Sequence, residues 1–264
     1  MCGNKNDPFV TYLKSFGYNP IRLPRANIRP LQLLARDGKE LTWIGDVTDL
    51  FVGPAELPKL EIDNPAAAIA GKRTGELSLG VALNLLGNVI GALGGTKLGL
   101  DVAYKSARKA VFEFPDVLED RVSVAKLDQY LAQSDVNPNS VAIGKMLDAD
   151  DIYITTSCIK SRKFTVDAES ERGTTVALDV PVIQQTVGGT VKVSAAGASQ
   201  GKLTYEGPVP LVFGFQAVRL YYDNGAYTAI KPAEGIGARA LSSAPTDGAD
   251  RYVADDAFAT LRVP

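Results

Sequence analysis

The stretch LSLGVALNLLGNVIGALGGT, Leu77 to Thr96, carries no charged side chain between Glu76 and Lys97. Its length matches the about 20 residues that a membrane-spanning helix needs. Read at helical spacing, Leu79, Leu83, Leu86, Ile90 and Leu93 fall on one stripe. Read at period two, Leu77, Leu79, Val81, Leu83 and Leu85 share one face, opposite Ser78, Gly80, Ala82 and Asn84. The period decides which face is buried, so a segment that satisfies both can serve in two structures. Gly80, Gly87, Gly91, Gly94, Gly95 and Gly99 each weaken a helix by about 1 kcal/mol relative to alanine, which leaves such a helix dependent on tertiary packing. The glycines and Asn84 and Asn88 make a poor single membrane span. Gly87, Gly91, Gly95 and Gly99 form a small-xxx-small series, which suits either a core helix lying close to a sheet or a membrane helix pair.

Around this segment the chain divides by pattern. Residues 18–60 alternate short apolar runs with proline and glycine, as strands and short helical turns do. An apolar-periodic stretch from Glu76 to Phe112 is expected as a long helix that stops at Pro115. A second helix is expected over Ser123–Gln133, capped by Ser123, with Val124, Leu127 and Leu131 on one face. After Asp150 strands take over. KFTVDAE places Phe164, Val166 and Ala168 opposite Lys163, Thr165, Asp167 and Glu169, and TVALDVPV places Val176, Leu178, Val180 and Val182 on one face. The turn-like SERG between them makes Lys163–Ile183 an expected hairpin, and GTVKVS and LVFGFQAVRLYY continue the strand pattern. Helices and strands are segregated, so the expected class is α+β around a twisted, mostly antiparallel sheet.

Residues 232–250 are poor in large apolar side chains and are expected as an exposed linker, after a domain of residues 1–231. Residues 251–264 regain Tyr252, Phe258 and Leu261, enough to dock a terminal element onto that domain. The basic side chains Lys5, Lys14, Arg22, Arg25, Arg29, Arg36 and Lys39 outnumber Asp7 and Asp37 at the N-terminal end, whereas Asp247, Asp250, Asp255 and Asp256 face Arg251 and Arg262 at the other.

The chain has no histidine. That excludes Ser-His-Asp and Cys-His nucleophilic sites and the usual zinc sets. With a net charge of -2, nothing asks for nucleic acid. Lys97 does not sit in a Walker A loop, and GIGARA at Gly235–Ala240 lacks the third glycine of a dinucleotide fingerprint. The pairs Asp150/Asp151 and Asp255/Asp256 lack a companion cluster and read as solvated turns. No catalytic residue, no metal ligand set and no cofactor is expected. Cys2 and Cys158 form no framework; Cys158 reads as a core residue, and Cys2 as an exposed thiol or an S-acylation site. The N-terminal MCGNKNDPFVTYLKS lacks an apolar signal core, so the expected starting compartment is the cytoplasm.

YLKSFGYNPIRLPRANIRPLQLLARDGKEL (Tyr12–Leu41) and LDVPVIQQTVGGTVKVS (Leu178–Ser194) resemble bacterial gasdermins, and the layout fits nearly end to end. The resemblance implies a cytoplasmic, monomeric pore former with a twisted central sheet and peripheral helices, held inactive by a short C-terminal peptide. A partner protease would release the peptide; the N-terminal part would assemble on membrane lipids into a very large ring, inserting β-hairpins into the inner membrane. Cell death in antiphage defence is the implied outcome. Cys2 is the position that matches the family's palmitoylated cysteine, and the cleavage loop maps to Gly235–Asp250, where Arg239 suits a trypsin-like protease and Asp247 or Asp250 a caspase-like one. Leu77, Leu79, Val81, Leu83 and Leu85 would belong to the first inserting region, and Phe164, Val166, Val176, Leu178 and Val180 to the second. Tyr252, Phe258 and Leu261 would make the autoinhibitory contacts. The competing reading is a soluble lipid-binding or carrier protein with an acyl-binding groove.

Overall fold

The computed structural model describes residues 8–37, 40–172, 174, 176–196, 201–223, 226–231 and 260–262. Two long strands form its spine: β10 (Ile152–Glu169) and β12 (Lys202–Asp223). They pair antiparallel from Tyr153 opposite Arg219 to Asp167 opposite Lys202. Both are rich in β-branched and aromatic residues, which suit a pleated surface. The register shifts at three places, and the widest shift, a break in the ladder, is where Ser161 and Lys163 face Leu211 and Glu206. Pro208 and Pro210 of β12 lie in that break and have no N–H to give a ladder. On β10 the hydroxyl of Ser161 takes up the strain by donating to the Lys163 carbonyl and accepting from its N–H (2.6 and 3.0 Å). The break divides the sheet into two halves.

In one half, β1 (Asn19–Arg25), β2 (Gln32–Asp37) and β3 (Glu40–Asp46) join the spine. β1 pairs with β12, and β2 pairs with both β3 and β10. Between β1 and β3 lies β14 (Thr260–Arg262), from the far end of the chain. It runs parallel to both, with Leu261 opposite Ile21 on one side and Leu41 on the other. The path β12, β1, β14, β3, β2, β10 then returns to β12, so six strands close on themselves. Ile21, Leu34, Leu41, Tyr153, Cys158, Val212, Phe215 and Ala217 form a buried cluster on the strands of this circuit. Closure leaves these strands no open edge along the circuit. A second apolar cluster on the same half gathers α2 (Val47–Leu50), α5 (Val124–Ala132), α6 (Val141–Asp148) and β13 (Ala226–Lys231) around Leu33, Ile152 and Leu220. The two-stranded sheet of β4 (Phe51–Val52) and β9 (Asp135–Val136) lies beside it.

In the other half the spine is flanked by β7 (Lys109–Glu113) and β11 (Lys192–Ala195), with β6 (Leu77–Ser78) beyond β7. The largest core lies on one side of it, under α1 (Pro8–Ser15), α3 (Leu79–Ala92), α4 (Leu100–Ala103) and α7 (Val180–Val187). Phe9 and Tyr12 of α1 join Phe114 and Phe213 there, the last two rings stacked at 4.2 Å. The pair β5 (Leu60–Pro65) and β8 (Leu118–Val122) packs on β10 between the halves. There Lys160 bonds Asp120 (2.5 Å) and Asp63 (2.8 Å), while Tyr18 and Ser157 both donate to Glu119 (2.7 and 2.6 Å). Burial works against the charge on Lys160, but the two carboxylates outweigh it and raise its pKa.

The α+β class and the mostly antiparallel sheet agree with the sequence pattern, as does α5, whose cap Ser123 accepts from the Lys126 N–H. Two expected elements differ. Glu76–Phe112 is not one helix: α3 stops at Ala92, Gly94 and Gly99 take left-handed φ of 79° and 89°, and Lys109–Glu113 is a strand on β10. Glycine at a helix end permits that reversal without a Cβ clash. Residues 176–182 are not a strand, so Lys163–Ile183 is not the expected hairpin. Asp179 caps α7 by accepting from the Val182 N–H at 3.1 Å, and Pro181 occupies its first turn. A cap followed by proline starts a helix, and this local signal overrides the alternation.

The glycine spacing also works differently from the expected close helix–sheet contact. A Cβ on Gly91 would meet nothing within 4 Å, whereas one on Gly207 of β12 would stand 2.2 Å from Leu93 Cδ2. It is the strand that gives way to a leucine of the helix end. Replacing Gly207 with alanine is therefore expected to cost about 1–3 kcal/mol, seen as a lower urea midpoint with unchanged slope. Replacing Leu261 with proline removes an N–H from β14. The expected outcome is faster amide hydrogen exchange around Ile21 and Leu41, with the β10–β12 ladder still protected.

Candidate membrane-inserting face

The half-sheet β7-β10-β12-β11 has two unlike faces. Opposed residues in an antiparallel ladder share a face, so the registers place Ala110, Phe112, Phe164, Val166, Leu203, Tyr205 and Val193 on one side. All are buried in the core beneath α3, α4 and α7. The other side carries Lys109 and Glu113, Lys163, Asp167 and Glu169, Lys202 and Glu206, and Lys192. These charges pair across and beside the strands: Lys202 with Glu113 at 2.9 Å, Arg73 with Asp167 at 2.8 Å, and Lys163 with Glu206 at 3.9 Å. Thr165 and Thr204 share a hydroxyl bond of 3.0 Å on the same side. The alternation is that of a sheet with one side in an apolar medium and the other in water.

Among the described residues the helical cover has several specific ties, including Gln184 of α7, which donates to the Val191 carbonyl and accepts from the Val193 N–H of β11 (2.9 and 2.7 Å). Tyr104, just after α4, and Tyr205 of β12 bond hydroxyl to hydroxyl at 2.6 Å. Burial raises the pKa of both phenols, so both stay neutral. Leu93 sits over Gly207, and the Thr96 N–H donates to the Val187 carbonyl, linking the α3–α4 turn to α7. Beside α3 lies an open cavity of about 700 Å³, lined by Gly87, Gly91, Gly95, Pro24, Val209 and Leu211. The outer surface of the cover is not fully polar. Leu98, Val102 and Val182 are 80, 63 and 48 % exposed. No described helix is long and apolar enough to cross a membrane.

The first candidate group is split by the fold. Leu77 is buried in β6, while Leu79, Leu83 and Leu85 are half-buried and Val81 exposed on α3. In the second group Phe164 and Val166 are buried in β10, Leu178 is buried before α7, and Val176 and Val180 are half-buried. Leu261 is drawn into the sheet by its backbone, whereas Cys2, Arg239, Asp247, Asp250, Tyr252 and Phe258 lie outside the described residues. Cys158 is fully buried, and burial raises its thiol pKa well above the usual range, so it is an inert core residue. Reading the residues missed the partners of β14, the Tyr104–Tyr205 bond and the fit of Leu93 on Gly207. No local pattern could have found them, because each joins residues far apart in the chain.

Comparison with known proteins gives a consistent result. The model of the Bacterial Gasdermin Family matches residues 21–226. The chain is 53 % identical to "Gasdermin bGSDM" of a Desulfuromonadales bacterium over 259 residues, 97 % of each chain. It is 39 % identical to the protein of the same name from Lysobacter enzymogenes, covering 92 % of this chain and 91 % of the relative. Among solved structures, a bacterial gasdermin from Bradyrhizobium tropiciagri shares the fold with a TM-score of 0.60 at 18 % identity, over 98 % of both chains. By family model, identity and coverage, the chain belongs to the bacterial gasdermins, a family of pore-forming proteins rather than enzymes.

Proposed function

We propose that the chain is a proteolytically released pore former, divided into a pore-forming part (residues 1–231), a cleavable linker (232–250) and an inhibitory peptide (251–264). One observation carries this reading: the strand that closes the six-stranded circuit comes from the far end of the chain. While the linker is intact, β14 returns to its slot at high effective concentration. Once the linker is cut, a three-residue strand holds only by its own pairings and is lost by dilution. The edges of β1 and β3 are then unpaired, and an open edge is a template for a strand of another copy.

In this reading the resting protein is a cytoplasmic monomer, cut by a caspase-like protease after Asp247 or Asp250 or by a trypsin-like one after Arg239. Loss of β14 frees copies to assemble as a large ring on the inner membrane. α3, α4 and α7 come away from the half-sheet and refold as hairpins, exposing the apolar side of β7, β10 and β12 to lipid. Ring closure satisfies backbone groups that an isolated hairpin would leave bare in hydrocarbon. Cell death in antiphage defence follows from membrane leakage. A palmitoyl chain on Cys2 adds about 0.8 kcal/mol per buried CH2, and the basic N-terminal region gives the second signal that stable membrane attachment requires. The cavity beside α3 supports the second reading, a lipid carrier whose groove takes an acyl chain without insertion.

Dye-loaded anionic vesicles separate the two readings. The expected result is no release with intact protein and release after cutting at a single protease site engineered into Ala244–Gly248. Intact vesicles in the presence of fully cut, soluble protein, acylated or not, would favour the carrier. Protein acylated at Cys2 is expected to release dye at lower concentration than Cys2→Ser, measured as the concentration for half-maximal leakage.

A further inference from the structure

The resting half-sheet holds three ladders that each end where a helical or loop segment begins. β6 pairs with β7 through Leu77 and Ala110, with Ser78 opposite Lys109. β7 pairs with β10 from Glu113 opposite Thr165 to Lys109 opposite Glu169. β10 pairs with β12 from Lys163 opposite Glu206 to Asp167 opposite Lys202. From the registers in the resting fold we infer that these ladders are the template of the membrane-inserted sheet, prolonged without a slip through α3, α4, α7 and β11. This rests on the pore reading above and adds which residues meet, which face lipid and where the hairpins end.

Carried upward, the first ladder sets Leu85 opposite Val102 and Val89 opposite Leu98, and turns at Leu93–Gly94. Gly94 already has a φ of 79°, as the second position of a type I′ turn requires, whereas Leu93 at φ −85° has to change on forming the turn. The third ladder sets Val176 opposite Val193, Leu178 opposite Val191 and Val182 opposite Val187, and turns at Gln184–Gln185. The middle ladder then joins the two hairpins, with Val102 beside Val176, Leu100 beside Leu178 and Leu98 beside Val180. It also sets Gly94 of the first tip beside Gln184 of the second, so both hairpins end at one height. The three registers share strands β7 and β10, but none of them is set by the other two, so they need not agree in this way. A slip in any one would leave one tip projecting past the other.

The apolar band that results runs from Thr96 to Tyr104 on one strand and from Thr174 to Val182 on its neighbour. That is the span of about 9–11 residues that a tilted membrane strand needs. Just below it Arg108 and Arg172 fall on the lipid side, where long basic side chains reach the headgroups. The water side receives Lys97, Asp101 and Lys105 at every fourth position, together with Asp179 and Lys192. The exposure of Leu98, Val102 and Val182 in the resting fold fits the same assignment, since all three take the lipid side. β11 must leave β12 for this to happen: Lys192 gives up its place opposite Glu206 for one opposite Ala177.

Paired cysteines test the register in full-length protein with the engineered cut site, on dye-loaded vesicles of phosphatidylethanolamine and phosphatidylglycerol. Ala177→Cys with Lys192→Cys and Asp101→Cys with Ala177→Cys are on register; Ala177→Cys with Thr190→Cys is slipped by two. After cutting, leakage and mild oxidation, disulfides are mapped by peptide mass. The on-register bonds are expected to form about tenfold faster than the slipped one, since opposed Cβ atoms lie ~4.5–5.5 Å apart and diagonal ones ~7–8 Å. Leakage with the slipped bond dominant, or with no bond at these positions, overturns the register while leaving pore formation standing. If the parent protein does not leak, the pore reading itself falls, and the register with it. Should an on-register variant fail to leak when reduced, Val176→Cys with Val193→Cys gives the same reading from the lipid side.

Discussion

The ladder between β10 and β12 runs unbroken in direction from Tyr153 to Asp167, and the other strands and helices are placed by it. Below its break the two strands supply the inner wall of a closed circuit; above it they supply the middle of an open, two-faced sheet. The break itself is chemical in origin. Pro208 and Pro210 cannot donate, Gly207 has no side chain to oppose Leu93, and Ser161 bonds locally across the bulge. The same pair of strands thus joins a part held shut by pairing to a part that is held covered by side-chain packing.

These two kinds of restraint differ in how they can be released. Packing of α3, α4 and α7 buries apolar surface over many residues, which is a large but diffuse stabilisation. β14 is three residues long, yet it occupies the one slot where the circuit would otherwise stand open. Removal of so short a strand takes away few backbone pairings but leaves the edges of β1 and β3 open. The glycines of α3 keep the cover from being strongly helical in its own right, and Gly91 faces a cavity rather than a neighbour. A helix that depends on its surroundings is suited to a segment with a second structure available.

Much of the fold was legible where the pattern is local. The alternation in KFTVDAE, the cap at Ser123 and the α+β division all hold in three dimensions. Legibility failed where two local signals compete over one segment. In TVALDVPV the alternation pointed to a strand, and the Asp179 cap with Pro181 decided for a helix. In Glu76–Phe112 the helical period was continuous on paper, but Gly94 and Gly99 turned the chain, and Val111 and Phe112 found a strand partner in β10. In the proposed inserted sheet, the alternation in TVALDVPV belongs to the other state of the same residues.

The sequence by itself determined the chemistry available to this protein: no histidine, an uncharged segment with two periods, a two-faced strand at Lys163–Glu169, and opposite charge at its two ends. Those are properties of composition and spacing, and no packing can change them. Only the tertiary structure decided that Leu261 lies opposite Ile21 and Leu41, that Tyr104 meets Tyr205, and that β7 lies between β6 and β10 in the registers observed. These are contacts between residues distant in the chain. Their selection depends on which surfaces can be buried together with every backbone group paired, a condition that no single segment can satisfy alone.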